Sequence, residues 1–196
     1  LPKETVKKNI LKAIKPKNMS NIKWVLDPTH SEIFFKVKHL MITNVKGTFG
    51  TFNASIDGED FSKSPIAVNI DVNSISTNNA DRDAHLKSGD FFETEQYPQM
   101  NFVSRSFDST GGDEYKLTGD LTIKGITKPI TLDVAFGGTN KDPWGNEKAG
   151  FEVKGKFNRS EFGLNWNSAL ETGGVLVSDE VKLEASVQFV KQTTEE

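Results

Sequence analysis

Three histidines and one compact polar cluster are the side chains of this sequence whose types could do chemistry. Three imidazoles could in principle build a zinc site. His30, His39 and His85, however, fall on a strand start, a strand end and an insertion, a spacing that does not converge on a metal. The densest cluster is Asp81-Arg82-Asp83-Ala84-His85-Leu86, followed closely by Phe91 and Phe92. On a helix, Arg82 and His85 stand three apart on one side with Leu86 adjacent. This arrangement has two readings. One is a solvated helix with an internal arginine and aspartate pair, which contributes little to stability. The other is the rim of a cavity, where Arg82 and His85 hold a polar head group as arginine holds phosphate or carboxylate oxygens. His39 is a second candidate because strand parity puts it on an apolar face; a lone inward histidine is otherwise a hydrogen-bonded core residue.

Catalytic signatures fail one by one. There is no G-x-S-x-G nucleophile elbow, no glycine-rich phosphate loop and no H-E-x-x-H pair. With no cysteine, thiolate nucleophiles, thiolate metal sites and disulfides are excluded together. The expectation is a protein that is not an enzyme and carries no metal or other cofactor.

The elements that must position these residues are strands. Ile33, Phe35, Val37 and His39 fall on one face, with Phe34, Lys36 and Lys38 on the other. Val45, Gly47 and Phe49 continue the inward pattern, which resumes at Phe52, Ala54 and Ile56. The three-residue step across Gly50 and Thr51 marks a β-bulge. Further period-two runs are Ile66 to Val72 (with Ile70), Met100 and Phe102, Tyr115 to Ile123, Ile130 to Phe136, Phe151 to Phe157, and Val181 to Phe189. Pro129 is expected at a strand start or on an edge, since it has no N–H to give to a ladder. The segment near residues 78–90 loses this period, and with Asn78 as cap it reads as a short helical insertion. Eight alternating strands without helical crossovers give an all-β, antiparallel fold. Barrel and sandwich both fit this pattern. Eight strands can close into a barrel whose interior is either filled by side chains or open enough for one ligand.

Composition fits this picture. A chain of 196 residues with 35% hydrophobic and 26% charged residues suits one β domain, assigned to residues 20–192. The 14 Phe against 2 Tyr supply aromatic surface with few hydroxyls to satisfy, which suits either an ordinary core or an oily lining. Residues 1–19 read as a basic extension, helical or disordered, with six Lys and one Glu in the first 18; the rest of the chain then carries minus eight of the net minus three. An acidic body argues against nucleic acid as a partner. The basic extension leaves contact with a membrane surface open. No apolar run approaches the ~20 residues of a transmembrane helix.

The same segments resemble the YceI-like family of polyisoprenoid-binding proteins. The similarity runs from Trp24 to about Val190, through W-V-L-D-P-T-H-S from Trp24, F-K-V-K-H-L-M from Phe35, G-T-F-G-T-F from Gly47 and S-I-S-T from Ser74. It continues through R-D-A-H-L-K-S-G-D-F-F from Arg82, Y-P-Q-M-N-F from Tyr97, T-G-D-L-T-I-K-G-I-T-K-P from Thr118 and R-S-E-F-G-L from Arg159. The resemblance implies a lipocalin-like barrel that stores or transports a polyisoprenoid, an isoprenoid quinone or a fatty-acid-like molecule, often as a homodimer. It also implies a bacterial protein of the periplasm or the cytoplasm. The alternative function is an enzyme or stress-response accessory factor acting on an isoprenoid quinone. The candidate ligand-binding set is Phe35, Val37, His39, Phe49, Phe52, Ile70, Arg82, His85, Leu86, Phe91, Phe92, Met100, Phe102, Phe136, Phe151, Phe162 and Trp166.

Overall fold

The computed structural model describes residues 22–193. The basic extension assigned to residues 1–19, and the first residues of the domain assigned from residue 20, lie outside the described residues. Among the described residues eleven strands are formed, and they make a closed barrel of eight strand positions because three positions are bent strands in two pieces. The first is β1 (Ile22–Leu26) and β2 (Glu32–His39), the second β3 (Thr43–Phe49) and β4 (Phe52–Ile56), the third β5 (Ile66–Asp71) and β6 (Ile75–Ser76). A helix, α1 (Ala80–Lys87), separates these from the long strands β7 (Gln99–Gly111), β8 (Glu114–Ile123), β9 (Ile126–Lys141), β10 (Glu147–Asn158) and β11 (Val177–Thr193).

Closure depends on β11, whose 17 residues pair with β10 along one edge and with β1 and then β2 along the other. Between β1 and β2 the chain bends at a short turn, Pro28–His30, where the Asp27 carboxylate accepts from the Thr29 N–H at 3.1 Å. In place of the β-bulge expected at Gly50 and Thr51, the strand is interrupted there between β3 and β4. Gly50 donates to the Ser74 carbonyl and Thr51 accepts from the Asp71 N–H, so this bend is stitched to the one between β5 and β6. Antiparallel pairing throughout is the expected architecture.

Two local expectations change, and the two placements open to Pro129 narrow to one. The strand pattern begins at Ile22 rather than Ile33; β1 buries only Trp24 and Leu26 before the Asp27-Pro28 turn, too few alternations to stand out. The helix cap is Asn79, whose side chain accepts from the Arg82 N–H at 2.9 Å, while Asn78 occupies the left-handed region just before it. Pro129, the fourth residue of β9, lies on an edge rather than at the strand start. There β9 pairs with β8 alone, since its ladder with β10 begins only at Asp133, so the missing N–H faces a free edge.

Candidate functional site

The inward residues do not fill the barrel. Two apolar compartments lie end to end, with about 890 Å³ and 1010 Å³ of space free of protein atoms, their open ends included. Ile33, Ile70, Leu121 and Leu183 line both and form the waist between them.

Glycines on the inner face explain the free space. Gly47, Gly119 and Gly155 each occupy an inward position, and each is overlain by a side chain from a neighbouring strand: Phe35 on Gly47, Phe102 on Gly119 and Leu132 on Gly155. Laid against the wall where a Cβ would otherwise stand, these large side chains keep clear of the barrel axis. At Gly47 and Gly119 this is aromatic covering of a strand glycine, which also protects the exposed backbone.

The two ends are closed differently. Phe61, in the turn Phe61–Lys63 between β4 and β5, packs on Trp24 at 5.0 Å, Phe151 at 5.1 Å and Phe136 at 5.7 Å between ring centroids. At the other end α1 and the segment after it lay Leu86, Phe91 and Phe92 over the larger compartment, with Phe92 edge-on to Phe49 at 6.4 Å. Thr77 ties this cap down. Its hydroxyl donates to Asp83 Oδ1 at 2.6 Å and accepts from Arg82 Nε at 2.7 Å, and its carbonyl accepts from Arg82 Nη2 at 2.9 Å.

Of the candidate residues, Phe35, Val37, His39, Phe49, Ile70, Arg82, Leu86, Phe91, Phe92 and Met100 line the compartment under α1. Phe52, Ile70, Phe102 and Phe151 line the other. Phe136 lines neither; it belongs to a separate crevice beside Phe61 and Tyr115. Phe162 is fully buried behind the wall against Phe157. Trp166 packs on Phe91 at 5.3 Å and on the His85 ring at 4.8 Å, bracing the cap from outside. His85 gives its Nε2 to Asp90 Oδ2 at 2.8 Å and does not line either compartment.

Several lining residues, Thr77, Leu164 and Val177 among them, lie outside the candidate set, and one of these is charged. Arg159 is 5% exposed, lines the compartment under α1 and donates to four backbone carbonyls: Leu164 at 2.6 Å, Trp166 and Ser178 at 2.9 Å, and Val177 at 3.3 Å. Burial lowers the proton affinity of its guanidinium, and Asp179 offsets part of that. The signal was available, since Arg159 continues the inward parity of Phe151, Val153, Gly155 and Phe157.

The inner surfaces are apolar even where arginines line them, because Arg82 turns its guanidinium to Thr77 and Arg159 to carbonyl groups. No aspartate or glutamate lines either compartment. Among the described residues no group of three acidic or histidine side chains is placed to hold a metal, and no helix is long and apolar enough to cross a membrane.

This architecture has relatives. Residues 24–189 match the model of the YceI-like domain. A UPF0312 protein of Staphylococcus aureus is 45% identical over 169 residues, covering 85% of this chain and 96% of that protein. The crystal structure of the Campylobacter jejuni YCEI protein is 36% identical with a TM-score of 0.66, over 81% of this chain and 90% of that one. A polyisoprenoid-binding domain from Saccharophagus degradans, implicated in plant cell wall breakdown, shares the fold at 16% identity, with a TM-score of 0.61 over 86% of this chain and 98% of that one. The identity to the first two and the span of the match are decisive: this chain belongs to the YceI-like domain family.

Proposed function

We infer that this protein binds a long apolar molecule of the isoprenoid-lipid type inside the barrel, for storage or transport and without catalysis. The carrying observation is the pair of adjoining apolar compartments, which share Ile33, Ile70, Leu121 and Leu183 and suit a chain laid along the barrel axis. Each methylene withdrawn from water there contributes about 0.8 kcal/mol. The polyisoprenoid-binding relative supports the class of ligand, and the relatives from bacteria support a bacterial origin. A cavity without carboxylates offers no acid and base pair, which favours binding over turnover. Arg82 is the proposed contact for a polar head group: Thr77 uses two of its N–H groups, and of the five that a guanidinium carries, the others remain for a ligand at the rim.

Native mass spectrometry of the purified protein, followed by extraction and identification of what it carries, tests this reading. An adduct that resolves to a lipid with a long apolar tail is expected. A protein that stays ligand-free when offered polyprenyl lipids, quinones and fatty acids would overturn it.

A further inference from the structure

The hairpin tip between β2 and β3 breaks two habits of water-soluble proteins. Its residues Leu40, Met41 and Ile42 are 40%, 56% and 76% exposed, and Val175 beside them is 38% exposed. Leu40 and Met41 also hold φ of +52° and +60°. Turns with that backbone normally use asparagine and glycine, so two large apolar side chains are kept here against the preference of the chain. The tip is fixed in place, with the Leu40 N–H donating to the Leu176 carbonyl at 2.8 Å. It also adjoins the ligand cavity, because the flanking residues His39, Val45 and Val177 line the compartment under α1.

A second observation concerns the outer wall behind the tip. Lys156 of β10 pairs directly with Lys182 of β11, Lys182 with Lys36 of β2, and Lys36 with Lys46 of β3. Like charges directly opposite one another destabilise a sheet, yet here four lie in one unbroken row, with exposed Lys38 nearer the tip and Lys154 nearby. Glu184 and Glu180 neutralise only Lys36 and Lys156, at 2.7 and 3.0 Å. On the cap at the same end, Asp90 and Glu93 are engaged by His85 and Lys124, leaving Asp81, Glu95, Glu161 and Glu171 as exposed carboxylates of the surrounding loops and helix, with Asp179 on β11 held by Ser160. The row stands about 13 Å from the tip, four residues of strand, so a single flat anionic surface can meet both.

We propose that the Leu40–Ile42 tip and the lysine row form a docking surface for an anionic phospholipid bilayer, with the tip entering the head-group layer and the lysines on the lipid phosphates. Docked this way, the compartment under α1 faces the membrane from which an apolar ligand is drawn. That purpose rests on the lipid-binding reading above; the docking itself does not. An exposed apolar cluster rimmed by cationic side chains is the form of an interfacial anchor.

Co-sedimentation of the full chain with phosphatidylcholine vesicles, with and without phosphatidylglycerol, tests the proposal. Binding is expected only with phosphatidylglycerol and should weaken as salt is raised. Lys46→Gln with Lys182→Gln, which breaks no ion pair, should lower partitioning by about fivefold for each lysine neutralised. Met41→Gly with Ile42→Thr, which relieves the turn, should also lower it with the melting temperature retained. Wild-type protein that ignores phosphatidylglycerol vesicles would overturn the proposal. So would tip and row variants that bind as wild type does, including the case where only Lys7→Glu with Lys8→Glu in the basic extension abolishes binding, or where the tip variant changes self-association alone. Ligand retention by native mass spectrometry is read separately, so empty barrels that still bind vesicles would refute the lipid-carrier reading and leave docking intact.

Discussion

The ring of Phe35 lies across Gly47, its direct cross-strand partner, and occupies the space where any other residue would carry its Cβ. A wall position given up by one residue thus becomes cavity volume, because the ring that would have pointed to the barrel axis lies flat. Gly47→Ala would push the ring inward. Overpacking of this kind costs about 1–3 kcal/mol, and at roughly 2–4 °C per kcal/mol for a domain of this size the melting temperature should fall measurably. The same variant should hold its ligand less tightly. A Gly47→Ala protein with unchanged stability and unchanged retention would show that the ring does not define the cavity wall.

The waist makes a separate prediction about ligand length. Leu183 lines both compartments, and Leu183→Trp should close the passage between them at a stability cost of about 1–3 kcal/mol. Lipids recovered from the variant should have shorter tails than those from the wild type, since only one compartment remains accessible. Identical tail lengths would mean that the ligand never crosses the waist.

Parity along the strands was the legible part of the sequence, and it was legible because each wall position has one wet and one dry face. It correctly turned Phe35, Val37, His39 and Phe49 to the interior, and taken one step further it would have added Arg159. Parity reports the face but not the depth along the barrel axis. Phe136 has inward parity yet sits beyond the end of the smaller compartment, where Phe61 from a turn with no periodicity intervenes. Trp166 and Phe162 lie in a segment without strand period, so nothing in their spacing separates a cavity wall from a brace behind it. The partners of Arg82 and His85 were equally hidden: Thr77 precedes the helix and Asp90 follows it, and the bends of the backbone that bring them close carry no hydrophobic pattern.

Arg159 predicts a stability effect with a local signature. Its planar fork satisfies carbonyls at Leu164, Trp166, Val177 and Ser178 at once. Lysine keeps the charge but not the fork. Arg159→Lys should leave several of these carbonyls without a donor, at about 1–3 kcal/mol for each group that stays buried and unpaired. The segment 164–176 should then become sensitive to protease and its amides quick to exchange, while the ladder of β7 and β8 stays protected. Uniform loss of protection would assign Arg159 to global stability instead.

Asp27 predicts a pH dependence. Burial opposes its ionisation, but hydrogen bonds from Thr29, Lys148 and His30 outweigh that and hold the carboxyl well below the usual carboxylate range. A carboxyl with a depressed folded pKa contributes stability that is fully present above its unfolded value, near 3.9, and is lost as pH falls from there toward the folded value. Asp27→Asn should therefore be destabilised by about 1–3 kcal/mol at pH 7, and the gap to the wild type should shrink as the pH drops below about 4. A gap independent of pH would mean that the geometry of the Pro28–His30 turn, and not the charge, depends on this side chain.

Arg82 carries the assignment of the head-group end, and two variants separate its two roles. Its bonds to Thr77 hold the cap over the cavity, so removing them should loosen the grip on any ligand, charged or not. Thr77→Val takes away the hydroxyl that joins Arg82 Nε to Asp83 while the carbonyl bond and the arginine charge remain, and the loosened cap should weaken an anionic lipid and a neutral lipid of the same tail to the same extent. Arg82→Ala removes latch and charge together. If the remaining N–H groups meet a head group at the rim, the anionic lipid should lose about 1.5–3 kcal/mol more than the neutral one, the range for a hydrogen bond to a charged group. Isothermal titration of wild type and both variants against the two lipids gives the comparison directly. Equal losses for the two lipids in Arg82→Ala would reduce Arg82 to a latch and move the head group away from α1, whereas a difference confined to Arg82→Ala fixes the charged end of the ligand beside Thr77 and directs its tail past the waist toward Phe61.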